Sequence, residues 1–252
     1  MNAALYPKGT AKALSRSLRV YHGDAARNAA MDALYGRFLR PGELAFDIGA
    51  HVGDRVSSFR RLGARVVALE PQPGPARVLR LIHGRDPQVT LVEAACGDHD
   101  GSVTLRINSA NPTVSTASNA FIGAAHGAGG WEGQVWDHEI AVRCTTLDSL
   151  IARHGLPTLL KIDVEGFEAH VLAGLTRRVP AISFEFTTIQ RDVAEACLAL
   201  LETLGPYRFN VALGESQRLE LGQFVSAEAM GSFLRALPHA ANSGDVYAIL
   251  ES

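Results

Sequence analysis

The sequence predicts an α/β fold, doubly wound about a mostly parallel sheet, and three features of its 252 residues predict it. Short apolar runs alternate with segments of helical periodicity, the pattern of successive β-α-β units. The first apolar run leads directly into a glycine turn. Four runs end in or near an acid, Asp47, Glu70, Asp163 and Glu185, at the edge where an open α/β sheet presents its ligand site.

Residues 1–20 read as a polar N-terminal lead-in, and 21–252 as a single domain with an insertion at 108–138. After Asp24, Ala26, Ala30, Leu34 and Phe38 recur four apart, the spacing of an amphipathic helix that Pro41-Gly42 closes. LAFDI (44–48) is a short buried strand, GAHVGD a turn, and RVSSFRRLG a helix with Val56, Phe59 and Leu62 inward. RVVALE (65–70) follows as the second strand. PGPARVLRLI opens with prolines suited to a first helical turn, and QVTLVEA (88–94) is the third strand. SVTLRI (102–107) and EIAVRC (139–144) read as strands that enclose the insertion. A connection of that length is too long to be passive, and Phe121, Trp131 and Trp136 make it a candidate lid over a site. Downstream, TTLDSLIARHG, EGFEAHVLAGL and residues 190–204 are helical, separated by the strands TLLKIDV (158–164) and AISFEF (181–186). YRFNVALGE and GDVYAIL, with a helix over 226–236 between them, are two last strands able to pair antiparallel.

Composition narrows the function. Apolar residues make up 47%, enough for one sizeable core. With 24 basic against 26 acidic residues the net charge is −2, which argues against the broad basic footprint of a nucleic-acid binder. Three cysteines without a C-x-x-C pair indicate neither a disulfide framework nor structural zinc, and the nine histidines show no metalloprotease spacing. The N-terminus lacks a signal-peptide core, and no apolar run approaches the roughly 18 residues that cross a bilayer. A reduced, cytoplasmic protein is expected, with a small-molecule partner and neither nucleic acid nor membrane.

The turn Asp47-Ile48-Gly49-Ala50-His51-Val52-Gly53-Asp54 is glycine-rich, but His51 stands where the dinucleotide fingerprint has its middle glycine. A pyrophosphate is therefore disfavoured. An acid just before the turn repels phosphate and suits an ammonium group, while Glu70, at the end of the second strand, is placed to accept two ribose hydroxyls. A ligand with a nucleoside at one end and an amino acid at the other satisfies both: S-adenosylmethionine. In KIDVEG, Lys161 and Asp163 share one face of a strand, and a lysine there must meet a carboxylate, from Asp47, Asp163 or Glu185. Asp163 and Glu165 are candidates to face a methyl acceptor, with Glu165 in the first turn of a helix and Glu168 acting as a local brace.

FDIGAHVGD, ALEP (68–71), Ala95-Cys96-Gly97-Asp98, TLDSL (146–150) and above all LKIDVEGFEAHVLAG (160–174) resemble the FkbM-type family of class I S-adenosylmethionine-dependent methyltransferases, from about Tyr21 to Leu250. The resemblance implies a seven-stranded sheet, S-adenosylmethionine as methyl donor, and O-methylation of a hydroxyl on a sugar or natural product. The expected donor contacts are Asp47, Gly49, His51, Gly53 and Glu70, with Asp98 near the adenine amino group. The expected catalytic residues are Lys161, Asp163 and Glu165. Many relatives carry Asn at the position of His51 and an aromatic or small residue at that of Asp54. His51 could contact donor or acceptor, from what reads as a solvent-exposed turn. Several acids at one cleft could bind a divalent cation, a reading that is not favoured. A nucleotide-dependent oxidoreductase and a non-catalytic S-adenosylmethionine-binding module remain the competing readings.

Overall fold

A computed structural model describes residues 10–251. In chain order the elements are α1 Thr10–His22, α2 Ala25–Tyr35, β1 Leu44–Ile48, α3 Asp54–Arg61, β2 Arg65–Leu69, α4 Pro73–His83, β3 Val89–Val92, β4 Ala95–Cys96 and β5 Gly101–Ile107. There follow α5 Asn119–Ala125, β6 His138–Thr145, α6 Leu147–His154, β7 Leu159–Ile162, α7 Glu168–Ala173, β8 Ala181–Thr187, α8 Arg191–Leu204, β9 Tyr207–Leu213, α9 Ala227–Ala236 and β10 Ser243–Leu250.

Seven strands form the main sheet in the order β3-β2-β1-β7-β8-β10-β9, and β10 alone runs against its neighbours. The strand order reverses between β1 and β7, the switch point where such sheets bind ligands. Alternate residues of β1 feed two cores. Phe46 and Ile48 pack with α6, α7 and α8 on one face, whereas Ala45 packs with Met31, Tyr35, Val56 and Phe59 of α2 and α3 on the other. Asp47 and Lys161 fall on this second face, directly opposite each other in the β1-β7 register. The strands on either side of the insertion pair antiparallel as β5 and β6, and with β4 they form a separate three-stranded sheet.

Three elements depart from expectation. The lead-in is helical from Thr10, and Arg16 of α1 donates to the Ala110 carbonyl in the insertion; residues 1–9 lie outside the described residues. The helix expected over EGFEAHVLAGL begins only at Glu168, because Glu165 (φ 56°) and Gly166 (φ 81°) are left-handed and cannot continue α7 toward its N-terminus. Glu165 thus sits in the preceding turn. Glu168 is the expected brace, its Oε1 accepting from Val164 N at 3.1 Å and Gly166 N at 3.2 Å. The insertion holds a short α5 and a 3-10 turn at Pro112–Val114.

The glycines of the first turn make room for neighbouring protein atoms where a side chain would stand. A Cβ on Gly49 would lie 1.8 Å from the Asp163 carbonyl oxygen, and one on Gly53 would lie 2.6 Å from the Leu79 side chain. Both residues also have positive φ. Gly49 therefore lets the β1 turn touch the end of β7 backbone to backbone. Gly49→Ala is expected to cost roughly 2–6 kcal/mol, combining ~1–3 for the backbone strain and ~1–3 for overpacking. Urea unfolding measures it, and parent-like stability would contradict this account of the turn.

Candidate active site

A cavity of about 140 Å³ opens beyond the carboxyl ends of β1, β2 and β7. All four acids expected at strand ends, Asp47, Glu70, Asp163 and Glu185, line it, although β8 continues past Glu185 to Thr187. Its floor is formed by the β1 turn and the end of β7, which Gly49 holds together. Thr113, Ser115 and Ala117 of the insertion and Leu105 of β5 form one wall, and Tyr21 of α1 stands at another side.

Glu70 is 2% exposed. Its Oε2 accepts from His51 N and its Oε1 from Gln72 N, each at 2.8 Å, so the backbone fixes the plane of the carboxylate. Burial pushes its pKa up to about 7 against the two amide donors that favour the anion. Asp47 is 1% exposed, and its Oδ2 is buried without a hydrogen-bond partner. Burial, then the nearby Asp54, pushes its pKa up to about 7 as well. A buried carboxylate oxygen that faces no donor is costly unless a ligand supplies one.

His51 is half-buried, with φ 46°, edge-on to the Tyr21 ring at 5.9 Å between centroids. This corrects the expectation of a solvent-exposed turn. Its Nε2 is buried and unpartnered, and burial lowers its pKa to about 4, so the ring is a neutral donor or acceptor at the cavity wall. Gly53 does not reach the cavity lining, because its place is taken up by packing on Leu79 and His83. Asp98 is a further correction: it is exposed, engages His99 at 2.6 Å and His170 at 3.5 Å, and does not line the cavity. The β4 strand that precedes it carries the chain out to the small sheet, leaving Ala95 and Cys96 at the cavity instead.

Next to Asp47 across the β1-β7 pairing, Asp163, Glu165 and Glu185 each bring one carboxylate oxygen within 4.8 Å of the others. Lys161, with no exposed surface, meets this group from below: its Nζ lies 3.3 Å from Asp163 Oδ2 and 2.6 Å from Asp245 Oδ1. Lys161 was expected to pair with Asp47, Asp163 or Glu185, and Asp163 fulfils that, but the closer partner is Asp245 of β10. Burial opposes ionisation of Asp163, yet the Lys161 and Arg55 charges outweigh it and hold that carboxyl below its usual range. Burial, followed by repulsion from Asp163, pushes Glu165 and Glu185 well up. The group thus combines a firmly ionised carboxylate with two that readily hold protons.

Four residues at the cavity escaped the sequence reading. Tyr21, Asp54, Arg55 and Glu215 meet there from α1, α3 and the turn after β9. Arg27 ties them together, donating to Asp54 at 2.8 Å and Glu215 at 2.7 Å, while Arg55 donates to Asp54 at 2.6 Å. An Asp-Arg dipeptide straight after the glycine turn was the available signal. Nothing local marks Glu215.

The insertion aromatics turn toward one another rather than over the cavity. Phe121 is fully buried edge-on to Trp131 and Trp136, and Trp136 Nε1 donates to Val114 O at 2.8 Å. Phe121 also rests on Gly166, where a Cβ would come within 2.8 Å of its ring, so the glycine of KIDVEG is required by this contact. Thr116 Oγ1 donates to Glu165 O at 2.6 Å, joining the insertion to the same turn.

A family model described as the methyltransferase FkbM domain matches residues 47–213, about two thirds of the chain. No curated protein matches. Solved structures similar to this chain include a precorrin-6y C5,15-methyltransferase from Geobacter metallireducens, with 16% identity, coverage of 88% of this chain and 87% of that one, and a TM-score of 0.47. A TehB-like S-adenosylmethionine-dependent methyltransferase from Corynebacterium glutamicum has 11% identity, 94% coverage of both chains and a TM-score of 0.47. A putative O-methyltransferase from Klebsiella pneumoniae has 13% identity, coverage of 95% and 90%, and a TM-score of 0.46. The family match runs from Asp47 of the glycine turn through Glu70 and the KIDVEG block to the end of β9, and the chain belongs to the FkbM methyltransferase family.

Proposed function

We propose that this S-adenosylmethionine-dependent methyltransferase methylates a hydroxyl oxygen of a sugar or natural-product small molecule. The observation that carries the reading is the Lys161-backed carboxylate group in the same cavity as Asp47 and Glu70, the two acids suited to the donor. The unpartnered Asp47 carboxylate fits an ammonium, and the clamped Glu70 keeps lone pairs free for ribose hydroxyls. His51 and the Gly49 backbone complete the donor side. When bound, S-adenosylmethionine supplies a methyl group made electrophilic by its sulfonium.

On the acceptor side, Asp163 takes the hydroxyl proton while the hydroxyl oxygen gains the methyl group and the sulfonium's bond to that methyl breaks. Lys161 keeps Asp163 ionised for this role, and Glu165 and Glu185 hydrogen-bond the acceptor's other hydroxyls. Holding the reactants in line is the larger contribution. We assign the positive charge at this cluster to Lys161 rather than to a divalent cation, and methyl transfer is expected to survive EDTA. An acidic cavity end also suits a neutral polyol better than a phosphate-bearing acceptor.

The test is transfer of labelled methyl from S-adenosylmethionine to a panel of methyl glycosides and hydroxylated natural products. The expected product is an O-methyl ether, and Asp163→Asn should slow its formation about 100-fold or more. Label on nitrogen or carbon, or an unimpaired Asp163→Asn enzyme, would contradict the reading. Absence of S-adenosylhomocysteine formation with every acceptor would favour the non-catalytic alternative.

Donor binding should depend on pH. In the free protein Asp47 and Glu70 each titrate at about 7, and both are needed as carboxylates. Calorimetry should therefore show S-adenosylmethionine affinity rising from pH 6 to pH 8, with proton release. Glu70→Ala should weaken it by about 1.5–3 kcal/mol at pH 8. For the same reason Asp47 and Glu70 each contribute stability to the ligand-free protein that is full below about pH 4 and is lost as pH rises through about 7, since the folded state holds these protons more tightly than the unfolded chain. Affinity that is flat with pH would remove Asp47 and Glu70 from the donor site.

We further propose that residues 113–117 close on the bound reactants while the aromatic cluster behind them stays fixed. Hydrogen exchange should slow at 113–117 on adding ligand and remain slow throughout around Phe121. High, ligand-independent protection over the whole of 108–138 would make the insertion a rigid wall.

A further inference from the structure

We infer that Asp245 is a positioning residue: it anchors the Lys161 ammonium so that Asp163 faces the transferred methyl with part, not all, of that lysine's charge against it. The inference rests on the reading that Asp163 lies at the point of methyl transfer. Lys161 is fully buried in β7, between β1 and β8. Its ammonium has three protons, and the structure offers three acceptors: Asp245 Oδ1 at 2.6 Å, Asp163 Oδ2 at 3.3 Å and the Ile162 carbonyl at 3.4 Å. The shortest contact is to the residue farthest from the chemistry.

Asp245 comes from β10, two strands away, and is 6% exposed. The antiparallel register sets it opposite Glu185, and β8 sets Ser183 opposite Lys161. Ser183 and Glu185 share a face of β8, so Asp245 and Lys161 meet diagonally across that strand on the side of the sheet that leads to the cavity. Asp245 does not line the cavity, whereas Asp163 does. The lysine therefore links a carboxylate inside the core to one in the site. A buried ammonium that loses one carboxylate must lean on the other. Without Asp245, Lys161 would be drawn onto Asp163 and would neutralise it.

The test needs no acceptor. Sinefungin carries an ammonium-bearing carbon where S-adenosylmethionine has its methyl sulfonium, so its preference over S-adenosylhomocysteine reports the negative charge at the transfer point. Calorimetry on the parent protein should give tighter binding of sinefungin. Asp163→Asn should abolish the preference. Asp245→Asn should reduce it at least five-fold with unchanged affinity for S-adenosylhomocysteine, and Asp245→Glu should restore it. If Asp245→Asn does not fold, Asp245→Ser makes the same measurement. A preference lost in Asp163→Asn but intact in the Asp245 variants would overturn the role of Asp245. A preference intact in Asp163→Asn would overturn the placement of Asp163 itself, and the inference with it.

Discussion

A lysine without exposed surface in the middle of a parallel sheet obliges its surroundings to supply carboxylates. Lys161 cannot be ionised there unless partners replace its lost hydration, and Asp163 and Asp245 do so. That requirement accounts for the buried acid on the antiparallel strand β10, at the head of the apolar run VYAIL. It also accounts for the unequal states of the acids at the cavity: the one beside the lysine stays ionised, and its neighbours Glu165 and Glu185 are driven toward the protonated form. A single buried charge thus differentiates three carboxyl groups.

The backbone around that charge is packed closely enough that two glycines have no substitute. Gly49 lets the β1 turn contact the Asp163 carbonyl, and Gly166 lets Phe121 of the insertion contact the turn that carries Glu165. The β1 turn, the Lys161-backed carboxylates and the insertion therefore meet at the short segment from Asp163 to Gly166. A change in any of the three moves the same few atoms. The Glu168 carboxylate and the Thr116 hydroxyl hold that segment in its left-handed conformation, which places Glu165 in the cavity instead of in a helix.

Much of this was legible in the sequence because hydrophobic periodicity reports directly on burial. The alternation of strands and helices, the acids Asp47, Glu70 and Asp163 at strand ends, and the need of Lys161 for a carboxylate all follow from local pattern. Positions set by tertiary contact were not legible. The glycines of the first turn look like a ligand cradle, yet the atoms nearest their missing side chains belong to Asp163, just after β7, and to α4. Asp98 follows a strand end as the other acids do, but that strand joins the small sheet, and its side chain leaves the cavity. His51 looks exposed in a polar turn until Tyr21 of α1 covers it. Asp245 carried a weaker signal than Lys161, because it follows Ser243-Gly244 at the head of its apolar run, and its meeting with the lysine depends on the β8-β10 register. Glu215 carried none, since its approach to Arg27 depends on how the turn after β9 folds back.

The claim on which the rest depends is that donor and acceptor meet over Asp163. A crystal structure with S-adenosylhomocysteine and a turned-over acceptor tests it most directly. The account predicts the ribose on Glu70, the amino group on Asp47, and the acceptor oxygen roughly 2.6–3.2 Å from the Asp163 carboxylate. An acceptor oxygen held instead at the Arg27, Arg55 and Glu215 network, with Asp163 out of reach, would contradict it.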